Sequence, residues 1–188
     1  RKSISLMPKS KSAYSVAGKK GKLDTHIIVV WVDNEAGVLA RVVGLFSGRG
    51  YNIESLAVAE VDSKLNISRI TIVTTGTPEV IDQIKLQLKK LVPVHKVASF
   101  KRDDKKVIFK EMALFKFVTN NKKLRIAINA CKKFNPVILD ETNKSCVLQI
   151  TALRREIDKM STSLKKYGLI SISRTGAVAM TRGSEVFK

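Results

Sequence analysis

The sequence predicts an α+β chain built as two ferredoxin-like sandwiches, each with the element order βαββαβ. Three observations carry this. Short runs rich in Val and Ile, of strand length, alternate with segments whose apolar residues recur at helical spacing. Gly or Pro follows several of those helical segments. The same order of elements can then be read twice, clearly in the first half and more loosely in the second.

In the first half, residues 27–32 form a continuous apolar run, so residues 26–32 read as a strand covered on at least one face. Residues 37–48 read as a helix, with Val38, Leu39, Val42, Val43 and Phe46 as its apolar stripe. Gly48 and Gly50 end it. A second strand is expected over 51–60, a turn near Asp62, Ser63 and Lys64, and a β-branched strand over 67–75. Thr77 then caps a helix that has Pro78 at its first position and buries Val80, Ile81, Ile84, Leu88 and Leu91. Pro93 stops it, and a strand over 94–100 closes the unit. With both helices on one sheet face, the other face needs a partner sheet or a second subunit.

The second half repeats the plan. Residues 107–118 read as a strand, and 120–134 as a basic helix with Leu124, Ile126, Ala127 and Cys131 inside. Strands follow over 137–139 and 146–150, joined by a turn over 140–144. A helix runs from about Leu153 to Tyr167 with Gly168 after it, and a strand over 169–172 leads into a tail through Gly176, Ala179, Arg182 and Gly183. The expected organisation is a flexible Ser/Lys-rich arm over 1–22, a first domain over 23–100 and a second over 101–188.

Composition narrows the function classes. A chain of 188 residues that is 44% hydrophobic can pack one large or two small cores. No apolar run approaches the roughly 18–20 residues that span a bilayer, and no hydrophobic secretory segment is expected. Cys131 and Cys146 are not in a C-x-x-C pattern and read as free core thiols of a reducing compartment. His26 and His95 stand alone, expected at strand edges, so a metal site has almost no ligands to draw on. The net charge of +19 is uneven: residues 1–22 carry +7, residues 23–98 carry 0 and residues 99–188 carry +12. Such a balance suits nucleic acid, yet the lysines are scattered and aromatic residues make up only 6%, too few for stacking platforms. Scattered lysine equally suits a solvated surface or a face that docks an acidic protein.

Residues 33–41 and 48–55 are the most informative stretches. Asn34 is placed to cap the first helix, and Gly37 removes a side chain where that helix begins. A helix N-terminus with free N–H groups and no nearby Cβ suits a small carboxylate. An ordinary βα turn accounts for the same residues. Catalysis is not expected, because no nucleophile–base pair, carboxylate cluster or G-x-x-x-x-G-K loop is present.

These stretches carry a resemblance. Residues 34–46, 49–56 (Arg-Gly-Tyr-Asn-Ile-Glu-Ser-Leu), 68–73, 88–94 and 174–183 strongly resemble the regulatory small subunits of acetolactate synthase (acetohydroxyacid synthase), over roughly residues 25–184. The resemblance implies that the first sandwich is an ACT domain that pairs side by side with another copy. It implies a non-catalytic role in valine, leucine and isoleucine biosynthesis. The chain would activate the large catalytic subunit and impose feedback inhibition by valine, or by leucine or isoleucine, bound at the seam. Thiamine diphosphate, Mg and FAD would then belong to the catalytic subunit, with no cofactor in this chain. It assigns the amino-acid site to Asn34, Ala36, Gly37, Val38, Leu39, Asn52, Ile53, Ala59 and Gln83. The carboxylate would meet Gly37 and the N–H groups of Val38 and Leu39, and the amides of Asn34 and Asn52 would come one from each subunit. Small Ala59 would leave room for a branched side chain. Each residue also has an ordinary use: Asn52 as a turn residue, Gln83 as a solvent-facing helix residue, Ala59 as packing. Ala36 stands where Pro or Ser is common in the family. The motifs look most like bacterial members, which implies a bacterial cytoplasm, with plastid or mitochondrion as the alternative suggested by the arm. A basic nucleic-acid-binding module is the competing reading.

Overall fold

A computed structural model describes residues 22–184; the basic arm, except for Lys22, lies outside the described residues. The first unit contains β1 (Asp24–Asp33), α1 (Val38–Gly48), β2 (Ser55–Asp62), β3 (Ile67–Gly76), α2 (Pro78–Leu88) and β4 (Val94–Lys101). Its strands form an antiparallel sheet in the order β2-β3-β1-β4. The apolar run of β1 makes it a central strand, because alternate residues point to opposite sheet faces and both are covered. Ile28, Val30 and Val32 meet Val38, Val42, Leu45 and Phe46 of α1 and Ile81, Ile84 and Leu88 of α2. Thr77 caps α2 as expected, its hydroxyl accepting from Val80 N at 3.4 Å. Strand β2 starts at Ser55, later than the sequence suggests. Tyr51 N donates to Phe46 O (2.9 Å) and Asn52 O accepts from the Thr74 hydroxyl (2.7 Å), so residues 51–54 finish the turn before ladder pairing begins.

The second unit repeats the order with β5 (Val107–Val118), α3 (Asn121–Cys131), β6 (Val137–Glu141), β7 (Ser145–Ala152), α4 (Arg154–Ser163) and β8 (Leu169–Thr181). The sheet order is β6-β7-β5-β8. Phe115, Phe117, Leu124, Ala127, Cys146, Leu148, Ile150 and Ile157 form its core. Three sequence expectations change. The α-helix stops at Cys131 and tightens into a 3₁₀ turn over Lys132–Phe134, because Asn135 turns left-handed. Ile126 is 44% exposed, on the solvent side of α3. The C-terminal tail continues as β8 through Thr181, since β5 offers a pairing edge along its whole length. Both cysteines are buried free thiols, and burial raises their pKa values, that of Cys131 to about 11.

The outer face of the first sheet is covered by the same chain. β7 pairs with β5 only from Glu111 onward, so the start of β5 and the end of β8 project as a two-stranded ribbon. Val107, Phe109, Ala177 and Ala179 of the ribbon pack on Ile27, Val29 and Val73, with Trp31 and Phe100 at the margin. Polar contacts lock the seam. The Arg69 guanidinium donates to Ala179 O and stacks 5.2 Å over the Trp31 ring. Gly176 sits at φ +82° where β8 crosses β2, and a Cβ there would lie 2.8 Å from the Ser55 hydroxyl. Arg154 donates to Glu54 O at 3.2 Å.

Two buried ionisable groups set testable stabilities. Glu111, 2% exposed, accepts a bidentate pair from Arg174 (2.6 and 2.8 Å), which also holds Asp158 at 2.6 Å. The Glu111 carboxylate raises the Arg174 pKa above its ordinary value, against the effect of burial, and Asp158 adds to this. Arg174→Met would strand a buried carboxylate and should cost about 3–5 kcal/mol in urea unfolding at pH 7. His26 lies on the central strand β1, not at an edge, and is 7% exposed with neither ring nitrogen hydrogen-bonded. Burial, then Lys101, lower its pKa from the ordinary 6.5, while Asp24 acts in the opposite sense. The folded state therefore resists a proton that the unfolded chain accepts. Stability should be full above pH 6.5 and fall below it, by at most about 1.4 kcal/mol per pH unit from this residue. Denaturant titrations between pH 7.5 and 5 should show that His26→Leu flattens the curve. His95 does lie on an edge strand, β4, with Nε2 2.6 Å from Asp33 Oδ1.

Candidate functional site

The β1–α1 junction is built by backbone constraints. Asp33 N donates to Pro93 O (2.9 Å) and Asn34 N to Asn66 O (2.7 Å), which pins the chain as it leaves the sheet. Asn34 does not cap α1; its side-chain oxygen accepts from the Ser68 hydroxyl at 3.0 Å. The cap position is Gly37, in the left-handed region at φ +83°, without a side-chain cap bond. The first turn of α1 holds no acidic residue. Val38 N is engaged by Glu35 O at 3.3 Å and Arg41 N by Gly37 O at 3.0 Å. Leu39 and Ala40 therefore present the N–H groups that helix geometry leaves without an intrahelical acceptor. Asn34, Ala36, Gly37 and Leu39 are exposed, whereas the Val38 side chain is buried in the core. Together they form an open, polar, electropositive helix start that can accept an anionic group. Ala40 and Ser68 were missed in the sequence. Ser68 is visible only through pairing, because the β1–β3 register sets it opposite Val32 beside the junction.

The remaining candidates lie elsewhere. Asn52 and Ile53 follow α1, and Gln83 is on the exposed side of α2 near them, its Oε1 accepting from the Tyr51 hydroxyl at 3.3 Å. Asn34 is tied to Ser68 and Asn52 to Thr74, six residues apart on the same strand β3. At about 3.4 Å per residue the two groups stand roughly 20 Å apart, at opposite ends of the sheet. Ala59 lies between them on β2, exposed and paired with Arg69. One chain thus brings Asn34, Ala36, Gly37, Val38 and Leu39 together at one end and Asn52, Ile53 and Gln83 at the other. It does not join the two groups.

Among the described residues no three His, Cys, Asp or Glu side chains group closely enough for a metal ion, and no helix is long and apolar enough to cross a membrane. Two βαββαβ units, the first with an open helix N-terminus at the end of its central strand β1, have the architecture of ACT-type proteins. Known proteins make this specific. Residues 28–96 match the model of the AHAS small subunit-like ACT domain, and residues 110–183 that of the small subunit of acetolactate synthase. The acetolactate synthase small subunit of Aquifex aeolicus is 37% identical over 165 residues, covering 87% of this chain and 84% of that protein. A probable acetolactate synthase small subunit of Archaeoglobus fulgidus is 34% identical over 160 residues, covering 85% and 98%. The crystal structure of the acetolactate synthase small subunit from Thermotoga maritima superposes with a TM-score of 0.76 at 32% identity, covering 86% and 99%. The chain belongs to the acetolactate synthase small-subunit family, whose members are regulatory ACT-domain proteins rather than catalysts.

Gly37 separates conformational from steric demand, because nothing lies within 4 Å of where its Cβ would be. Gly37→Ala should therefore lose only the left-handed backbone cost, about 1 kcal/mol in thermal or urea unfolding. A much larger loss would mean that the loop is packed more tightly than this geometry allows.

Proposed function

We propose that this chain activates the acetolactate synthase catalytic subunit and makes it sensitive to a branched-chain amino acid, valine first, held between two copies of the first unit. The observation that carries this is the roughly 20 Å separation of Asn34 and Asn52 along β3. Strand β2 is an open sheet edge. A second copy laid antiparallel along it would set the Asn52–Ile53 end of one chain against the Asn34–Leu39 end of the other. The effector carboxylate would take the N–H groups of Leu39 and Ala40 with Gly37 beside them. The amides of Asn34 and the partner's Asn52 would take its polar groups, and Ala59 would leave room for the branched side chain. Gln83, held by Tyr51, would orient the Asn52 end. Thiamine diphosphate, Mg and FAD would act on the catalytic subunit, and the effector would work through its different affinities for the activating and non-activating arrangements.

The aromatic side chains speak against the nucleic-acid alternative. Among the described residues Phe46, Phe115 and Phe117 are fully buried, Phe109 is buried and Trp31 packs at the margin of the seam between the sheets, so none of these offers a base an open ring face.

The test mixes the chain with its catalytic subunit and follows acetolactate formation from pyruvate. The rate should rise on adding the chain and fall again with valine. Gly37→Asp places an anion at the helix start, in a conformation that Asp tolerates. It should keep most of the activation and lower valine sensitivity at least tenfold. Full sensitivity in that variant would refute the site, and no activation by the wild-type chain would refute the function.

A further inference from the structure

The segment that carries Asn52 and Ile53 is held from two sides. The first unit holds it by short bonds: the Thr74 hydroxyl donates to Asn52 O (2.7 Å), Glu54 N to Val73 O (2.8 Å) and the Thr75 hydroxyl to Glu54 Oε1 (2.6 Å). The second unit reaches the same segment through Arg154, the first residue of α4. Its Nη2 donates to Glu54 O at 3.2 Å and stands 3.9 Å from Glu54 Oε2. A charge-assisted N–H···O bond is about 2.8 Å long, so this ion pair is open by roughly 1 Å. The Glu54 carboxylate can stay with Thr75 or close on Arg154 as well. A shift of about 1 Å in residues 52–54 separates the two arrangements, and both side chains are less than a third exposed, which limits screening by solvent.

One turn further along, α4 is fixed again. Asp158 takes Arg174 Nη1 at 2.6 Å, and the same guanidinium holds buried Glu111, where the ribbon leaves its sheet. Residues four apart lie on one face of a helix, and the Glu156 carboxylate, accepting from Leu153 N at 3.1 Å, stiffens the turn between them. A displacement of Glu54 therefore reaches Arg174 and Glu111 through one rigid helical turn. We propose that Arg154 is the coupling residue by which the second unit senses the effector. It deepens the reading given above and rests on it: Asn52 and Ile53 meet the effector, Glu54 moves with them, and Arg154 passes the movement to α4. Valine affinity and valine inhibition are then separable, because Arg154 touches the segment behind the effector groups rather than the effector.

Two measurements on the full chain test this: valine binding by calorimetry, and acetolactate formation with the catalytic subunit. Arg154→Met keeps an unbranched stem over the seam and removes the guanidinium. It should activate normally and bind valine within about threefold of the wild-type affinity, while the inhibition reached at saturating valine falls to about half or less. Arg155→Met removes the same charge from the same turn, where Arg155 faces Asp103 at 3.9 Å instead, and should behave as wild type. Hydrogen exchange gives a reading on the unaltered chain: valine should slow the backbone amides over residues 157–163 of wild type, and leave them unchanged in Arg154→Met. A wild-type chain that neither binds valine nor is inhibited by it would overturn the effector reading and this proposal with it. Full inhibition of Arg154→Met, joint loss of its valine binding and inhibition, the same defect in Arg155→Met, or exchange over 157–163 that ignores valine in wild type would each overturn this proposal alone.

Discussion

Burial of both faces of β1 is the constraint on which the rest of the molecule depends. One face is covered by α1 and α2, as any βαββαβ unit would arrange. The other carries Ile27 and Val29 and would face water if the first unit stood alone. The chain resolves this with its own second half, by making β5 and β8 longer than their sheet requires and laying the excess over the first sheet. Apolar burial supplies the drive, and the Arg69–Ala179, Gly176–Ser55 and Arg154–Glu54 contacts fix the angle. The two units, each with its own core, are joined by a third apolar layer between their sheets, and the buried Glu111–Arg174 pair sits where the ribbon leaves its parent sheet.

A single β-strand also sets the spacing of the candidate site. β3 holds the Asn34 side chain through Ser68 and the Asn52 backbone carbonyl through Thr74, and its rigidity keeps the two residues a sheet-length apart. No loop motion in one chain closes such a gap. An effector that needs both groups must bridge two chains, and its binding free energy is then also association free energy. On the proposed pairing, that linkage couples a small molecule to the relative placement of two subunits. The open start of α1 suits the task because its cap, Gly37, supplies no side chain of its own to compete for the N–H groups.

The element order, the two helical stripes apart from the exposed Leu39, the Thr77 cap and the buried thiols were legible in the sequence because each depends on spacing or on one local hydrogen bond. The errors share a cause. Ile126 looked internal because three apolar neighbours flank it, but α3 presents only a narrow stripe, Leu124, Ala127 and Cys131, to the sheet. Residues 173–181 looked like a tail because Gly176, Ala177 and Ala179 weaken the strand pattern there; pairing with β5 overrides it. Asn34 was read as a cap from its position before the helix, whereas Ser68, 34 residues away, claims its oxygen. His26 was placed at an edge, and strand order made it central.

Local chemistry, then, was enough to name the elements, mark Gly37 as a special backbone position and point to the family. Hydrophobic periodicity and glycine or proline punctuation act over a few residues and survive in one dimension. The partner of the first sheet's outer face and the division of the candidate site between opposite ends of β3 depend on register and strand order. Those are properties of contacts between residues distant in sequence, and only the folded chain brings them within reach of one another.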